Sequence, residues 1–456
     1  MISGKELIRL GFAPSKLFSL AIAEFANRDN VTDDSIVSFM NTHVTKVYEL
    51  QPPVPFHKNI LVETDEEVQN LNLVIADMES IMVTPHIVDG CIMPDSMPTS
   101  NGHIPVGGVI VTNGTIHPSW HSADICCSVM MTNFGKVDPK EVLDAANNVT
   151  HFGPGGRPEY SELTAELYNE FLTNKYLSSA RSMELAASHL GTQGDGNHFL
   201  FVGVSKSTGD TMLVTHHGSR GVGAALYKKG IMTAESFRKE ISPMTNKKNA
   251  WIPYDSDEGR EYWSALQIVR KWTKLNHNTI HTAVSDTINI KPINNIWNEH
   301  NFVFKDGDLF YHAKGATPLD AKFVPDSADG LRLIPLNMSE PILVVKGDTT
   351  SSNLGFAPHG AGRNIGRSQH KRNNSDRTID EIFKEETAKL DVRFFSNRVD
   401  ISELPSAYKN ASEIRKQMDE FNLGTVVDEI MPYGCIMAGE FDRTYRPKQL
   451  NRKKQR

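Results

Sequence analysis

The feature that most constrains the fold is a change of texture near residue 80. Beyond it, short β-like runs are interleaved with amphipathic stretches and separated by Gly, Pro and Asn. The runs GGVIVTN, CCSVMMTNF, HFLFVGVS, TMLVTHHG, FVFKDGDLFYHA, PILVVKG and GCIMAGEF are rich in β-branched and aromatic residues. Apolar residues recur at helical spacing over 139–148, 161–174, 178–190, 222–240, 258–290, 377–390 and 410–421. There is no regular strand-helix-strand beat. The predicted class is therefore α+β, with mixed sheets and surrounding helices, and not a doubly wound sheet.

Residues 1–50 read differently, as a small helical lead. Helical spacing follows Pro14 and Ser15. A second helix is predicted over 32–47, with Thr32 as N-cap and Asp33 and Asp34 in its first turn. Pro52, Pro53 and Pro55 then mark a boundary. The expected division is a helical N-terminal extension, 1–55, and a large body, 56–456.

Composition bounds the remaining options. Hydrophobic content of 39% and charged content of 23% indicate a globular chain, not a disordered one. No run approaches the ~18 apolar residues of a membrane span, and the N-terminus lacks the apolar core of a signal peptide. A cytoplasmic location is expected, with no membrane partner. The four cysteines are Cys91, Cys126, Cys127 and Cys435. Adjacent cysteines are poor partners for each other, so free thiols in a reducing compartment are expected. The net charge of −7 argues against nonspecific coating of nucleic acid but allows a local basic groove. Basic residues cluster at Arg363, Arg367, His370, Lys371 and Arg372, and again in a tail from Arg446, read as a solvated end.

Polar constellations sit where β-runs meet turns. HSADICCSVM places Asp124 and Cys127 three apart, half of a metal site, although buried cysteines at a strand start are an equally good reading. GTQGDGNHFLF presents glycines ahead of Asn197 and His198, without the Gly-Lys-Ser/Thr of a P-loop. VTHHGSRGVG carries His216, His217, Ser219 and Arg220, and NEHNFVF carries His300 and Asn301. KGDTTSSNLGFAPHGAGR pairs a hydroxyl-rich loop with His359, whose glycine neighbours allow close approach of backbone to a ligand. Asp124, Cys127, His198, His216 and His300 would fill two metal sites sharing one thiolate. Ligand softness favours zinc, and the carboxylate leaves manganese open. His217 would orient a phosphate or face solvent. Lys314 would reach a substrate phosphate or merely make a turn. Arg220 and Arg363 are better phosphate candidates because arginine binds as a fork.

These blocks resemble the RtcB-type RNA-splicing ligases. MPDSMPTSNGHIPVGGVIVTNGTIHPSWHSADICCSVM is similar to the family's MPDVH…G…P…DIGCGM block. LGTQGDGNHF, HHGSRGVG and YHAKGATP resemble three further family motifs, and HGAGR is identical to a fifth. The order agrees, from about residue 58 to 440, so that 56–456 would be one RtcB-like catalytic domain.

The resemblance implies a GTP- and Mn2+-dependent RNA ligase with two manganese ions. Asp124, Cys127 and His198 would hold one ion, and Cys127, His216 and His300 the other. Asn197, Asp348, Thr349, Ser351, Ser352, Gly360, Ala361 and Gly362 would contact the nucleotide. His359 would be the catalytic nucleophile that becomes guanylylated, and Arg220 and Arg363 would bind substrate phosphate. Substrates would be RNA ends, from tRNA halves or damaged RNA, carrying a 3′-phosphate or 2′,3′-cyclic phosphate and a 5′-hydroxyl. The protein would act as a monomer, with an archease-like activator as a further partner. The sequence departs from the family at several places. Cys126 and Ser128 replace the glycines beside the metal cysteine, Met97 replaces the histidine of MPDVH, and Pro318 replaces an arginine. Phe201 and Ala438 stand where the family contacts guanine, which predicts loosened GTP selectivity. The alternatives are a dinuclear-metal phosphoesterase acting on RNA ends and a non-catalytic RNA-end binding protein.

Overall fold

The computed structural model describes residues 2–441 apart from 13, 16, 29, 44, 45, 100–102, 328 and 329; the basic tail from Arg446 lies outside them. Its architecture is α+β, as expected. An eight-stranded sheet runs in the order Arg332–Pro335, Ile342–Lys346, Thr425–Met437, Phe199–Ser205, Thr211–His217, Ser128–Asn133 and Asn294–Glu299. Its eighth strand, Asp391–Phe394, pairs with Thr425–Met437. That last pairing is parallel and the others are antiparallel. A five-stranded sheet runs in the order His57–Lys58, Ile87–Met97, Val106–Asn113, Leu309–Lys314 and Asn301–Asp306.

Strands Ser128–Asn133 and Thr211–His217 are buried along their whole length. Both faces of the large sheet are covered, so these strands read as continuous runs without polar alternation. On one face lie the helix Pro139–Val149 and the 32-residue helix Asp257–Ile288, whose Ile280 and Val284 pack with Leu200, Val202 and Leu213. On the opposite face Val129, Met131, Phe201 and Val214 pack with Leu333, Met338 and Ile342.

The Asp257–Ile288 helix meets the sheet partly through polar groups. His277 and His281 bond Thr215 at 2.6 and 2.7 Å, and Thr132 and Ser128 complete the network. Burial holds His281 down to about 3 and His277 well below its usual range, so both are neutral donor-acceptor groups here.

The N-terminal helices Gly4–Arg9, Leu17–Phe25 and Asp33–His43 pack around their own apolar cluster of Leu7, Ala21, Phe25, Ile36 and Met40. Thr32 accepts a bond from the backbone N–H of Ser35, and Asp33 and Asp34 occupy the first turn as predicted; the helix is described as far as His43, and Lys46 and Val47, at the end of the predicted range, are not helical. Several elements escaped the sequence reading, among them the strands Asn294–Glu299, Arg332–Pro335, Asp391–Phe394 and Ile87–Met97 and the helix Asp65–Ile81. The helix Asp65–Ile81 begins with a capping box of Thr64 and Glu67. The strand Ile87–Met97 is interrupted by Pro94, Asp95 and Ser96, where its register against Val106–Asn113 shifts, and this hides its alternation.

Candidate metal centre and nucleophile

Antiparallel register brings the candidate ligands together. Ser128 lies opposite both His217 and Glu299, and Phe199 lies opposite His216. The residues Cys127, His198 and His300, just outside their strands, therefore share one end of the sheet with His216. His300 also occupies the junction where the chain leaves the large sheet and enters the five-stranded one at Asn301. Its backbone N–H donates to the Cys127 carbonyl at 2.9 Å, which fixes that end.

Two groups result, Asp124 with Cys127 and His198, and Cys127 with His216 and His300. In each, the donor atoms lie within 4.8 Å of one another. His198 Nε2 is 3.1 Å from Asp124 Oδ2 and 3.8 Å from Cys127 Sγ. His216 Nε2 is 3.1 Å from both Cys127 Sγ and His300 Nε2. The outer nitrogens are already committed. His198 Nδ1 donates to the Gln193 carbonyl at 2.6 Å, and His216 Nδ1 donates to the Asn197 carbonyl at 3.1 Å. His216 is neutral and has one N–H, so its Nε2 presents a lone pair to the centre, and the Nε2 of His198 points to the same place. At His198 the inner nitrogen faces a carboxylate oxygen, an arrangement that a bound cation satisfies as well as a proton does. Carbonyl-oriented imidazoles are also how protein metal sites set the ligating nitrogen. The residues present fit two divalent ions.

Charge follows the same logic. Burial and the neighbouring His198 hold His216 down to about 3, and burial keeps His300 well below its usual range, so both are neutral ligands. Burial would raise the Asp124 carboxyl, but His198 outweighs it and holds the group at about 2. Burial, then Asp124, pushes the Cys127 thiol well above its usual range. A bound cation reverses that last shift, because the ligand is the thiolate.

His359 lies against this cluster, its ring 5.0 Å from that of His300. It follows the short strand Phe356–Pro358, which pairs with Ala316–Pro318. Its Nδ1–H donates to Asp95 Oδ2 at 2.5 Å, and its backbone N–H reaches the same oxygen at 3.0 Å. Asp95 is fully buried. In the neutral ring this bond places the proton on Nδ1 and leaves Nε2 as the nucleophilic nitrogen. Asp95 is the residue that sequence reasoning missed. It stands inside the quoted MPDS stretch, but nothing local shows that it meets a residue 264 positions later.

One cavity of about 330 Å3 joins these elements; its lining includes Asp124, Cys127, Asn197, His216, His300, His359, Gly360, Ala361, Gly362 and Arg363. Its other wall is apolar: Phe199, Phe201, Leu336, Met338, Ile342 and Met437. Lys314 also lines it, donates to the Ile104 carbonyl at 3.2 Å, and is lowered by burial to about 8.

Residues 159–438, more than half of the chain, match the family described as tRNA-splicing ligase RtcB. The chain belongs to the RtcB family. A tRNA-splicing ligase of Aeropyrum pernix is 25% identical over 75% of this chain and 86% of its own length. An RNA-splicing ligase of Escherichia coli is 25% identical over 80% of this chain and 93% of its own. Against the Pyrococcus abyssi tRNA-splicing ligase the identity is 25%, and the chain spans only 32% of that protein.

Other expected site residues of this RtcB chain lie elsewhere. Asp348 and Thr349 line a separate surface pocket with Asp320 and Lys346. Ser351 and Ser352 do not line the main cavity either, and the Ser352 carbonyl accepts a bond from Asn59 at 2.8 Å. The Asp348 to Ser352 loop thus does not line the cavity of His359, whereas Pro335, Leu336, Asn337 and Met338 do. Arg220 does not line the cavity. Its guanidinium donates to Thr192 Oγ1 and to the carbonyls of Gly153 and Gly155 at 2.9–3.1 Å. Arg363 reaches the cavity but donates to Glu403 at 2.7 Å and lies over the Tyr408 ring. Arg367 pairs with the same carboxylate at 2.8 Å. His217 does not face solvent and does not line the cavity. It is fully buried on the opposite face of its strand from His216 and stacks on His277 at 3.5 Å. Phe201 faces the cavity, whereas Ala438 is buried among Leu200, Val202 and Ile436, and Met437 takes the cavity side. All four cysteines are free and buried. Among the described residues no helix is long and apolar enough to cross a membrane.

Proposed function

We propose that this protein is an RNA ligase that joins an RNA 3′-phosphate or 2′,3′-cyclic phosphate to a 5′-hydroxyl through a nucleotidylated His359. The observation that supports this most directly is His359 itself, held by Asp95 and set 5.0 Å from His300 of the two-ion cluster, in one cavity. The proposed catalytic body is 56–456, with the helical lead outside it.

Asp124, Cys127 and His198 would hold one Mn2+, and Cys127, His216 and His300 the other. When bound, the ions supply positive charge that offsets phosphate repulsion. The protein does the rest. Asp95 holds the proton on His359 Nδ1, so Nε2 attacks the α-phosphorus of a nucleoside triphosphate. An N–P bond forms, the α-β phosphoanhydride breaks and pyrophosphate leaves. The nucleotidyl group then passes to the RNA 3′-phosphate, and the 5′-hydroxyl displaces the nucleoside monophosphate. Cyclic ends would first be opened by water.

The apolar wall of Phe199, Phe201 and Met437 suits a stacked base and offers no charged partner to guanine. GTP is the nucleotide that the family implies, and relaxed choice among nucleotides is the reading that this wall supports. The test is incubation with α-labelled GTP, and separately ATP, with Mn2+. Covalent label that is lost in His359→Ala supports the ligase. Opening of a cyclic end with no label and no joining points to the phosphoesterase instead. End-specific binding without turnover points to an RNA-end binding protein.

A further inference from the structure

His359 and Asp95 come from segments far apart in sequence, and each sits in an irregular stretch. Asp95 lies in the part of Ile87–Met97 where the register shifts. His359 opens a loop containing Gly362, whose φ is +70°. The loop and the irregular strand meet so closely at Gly362 that a Cβ there would fall 2.2 Å from the Asp95 carbonyl oxygen. Neither segment has regular ladder bonds to hold it at that point.

One residue bonds both. The Lys409 ammonium donates to the Pro94 carbonyl and to the Ser96 carbonyl, each at 2.9 Å. These two acceptors flank Asp95. The backbone N–H of the same lysine donates to the Gly362 carbonyl at 3.0 Å. Lys409 is 8% exposed and immediately precedes Asn410, which caps the helix Ala411–Glu420 by accepting from Ser412 and Glu413. The lysine therefore starts from a rigid base. Lys409 and the buried Asp95 also attract each other electrostatically, and Asp95 Oδ1 has no hydrogen-bond partner among the described residues.

We propose that Lys409 is the positioning residue of the nucleophile: its two-carbonyl clamp and its bond to Gly362 hold Asp95 and the His359 loop in the register that forms the His359–Asp95 hydrogen bond. This rests on the reading of His359 as nucleophile, but its structural part does not need nucleotide or RNA. Lys409 touches no reacting atom, and its effect passes through Asp95.

Two variants, Lys409→Met and Lys409→Gln, test it in the full chain, with thermal melting and metal content as controls for folding. The first readout is the low-field proton resonance of His359 Nδ1–H, assigned by its absence in His359→Ala and recorded with zinc to avoid paramagnetic broadening. The wild type should show it, and both variants should lose or shift it. The second readout is single-turnover labelling, which should slow by about 10- to 100-fold, the effect of misplacing a reacting group by an ångström or less, with the nucleotide concentration dependence unchanged. Lys409→Arg, whose fork can reach both carbonyls, should recover part of the resonance and rate. A wild-type resonance and rate in either folded variant overturns the proposal, as does absence of the resonance in the wild type. Failure of every nucleotide to label the wild type sinks the ligase reading alone, and the resonance still decides the role of Lys409.

Discussion

Replacing Asp95 with Asn tests the nucleophile most sharply because it keeps shape and removes charge. Asp95 Oδ2 accepts from His359 Nδ1 at 2.5 Å and from the His359 backbone N–H at 3.0 Å. The amide oxygen can take over those bonds only if the amide NH2 occupies the place of Oδ1. That atom is buried and has no partner among the described residues. The variant therefore either buries an unpaired NH2 or flips it toward the imidazole and forces the wrong tautomer. A hydrogen bond to a charged group contributes about 1.5–3 kcal/mol. At about 1.4 kcal/mol per factor of ten, that corresponds to roughly 10- to 150-fold in the rate of forming the covalent protein–nucleotide adduct. Single-turnover labelling with α-labelled nucleotide measures this directly, with metal content determined in parallel. Asp95→Asn that labels at the wild-type rate with normal metal content would refute the argument that Asp95 orients His359.

Four further outcomes are expected. Cys127 is shared by both ligand groups, so Cys127→Ser should empty both ion sites, while His300→Ala should spare the Asp124, Cys127, His198 site, as elemental analysis of the dialysed proteins can check. Gly362→Ala combines a left-handed φ of +70° with a steric clash on the Asp95 carbonyl, and should cost at least about 1–2 kcal/mol in denaturant titration as well as slowing labelling. His281 and His312 are fully buried and held at about 3 by burial, below the unfolded value near 6.5. Their contribution to stability is complete above about 6.5 and is lost as pH falls from there toward 3. Melting temperature should accordingly drop between pH 7 and 5, with up to about 2 kcal/mol lost per histidine at pH 5; a flat profile over that range would contradict it. Phe201→Ala should weaken nucleotide binding by about 1–3 kcal/mol if the apolar wall stacks the base, seen as a raised half-saturation concentration with the maximal labelling rate retained.

The residue types of the centre were legible because ligand chemistry is local. A thiol, a carboxylate and imidazoles at strand ends announce a metal-type donor set wherever the chain carries them, and Asp124, Cys127, His198, His216 and His300 were found that way. The long helix Asp257–Ile288 was legible from its period, and the α+β class from the irregular mixing of strands and helices. Other features depend on partners far away in sequence. Arg220 and Arg363 look like free phosphate forks in the sequence, but the fold supplies backbone carbonyls to one and Glu403 to the other. His216 and His217 are adjacent and identical, and only the pleat of Thr211–His217 sends one to Cys127 and His300 and the other to His277. The loop from Asp348 to Ser352 has the hydroxyls of a nucleotide cradle, but its residues do not line the cavity that holds His359, whose wall includes Pro335, Leu336, Asn337 and Met338 instead.

The sequence by itself determined which atoms are available for chemistry, since that is a property of side chains and their immediate neighbours. Tertiary structure decided which of them converge. Antiparallel register placed Cys127, His198, His216 and His300, from the ends of four strands, at the same sheet end, with Asp124 in the turn just ahead of Cys127, and the contacts of Asp95, Gly362 and Lys409 aligned His359. Those contacts span up to 315 positions, and no local pattern encodes a hydrogen bond between residues so far apart.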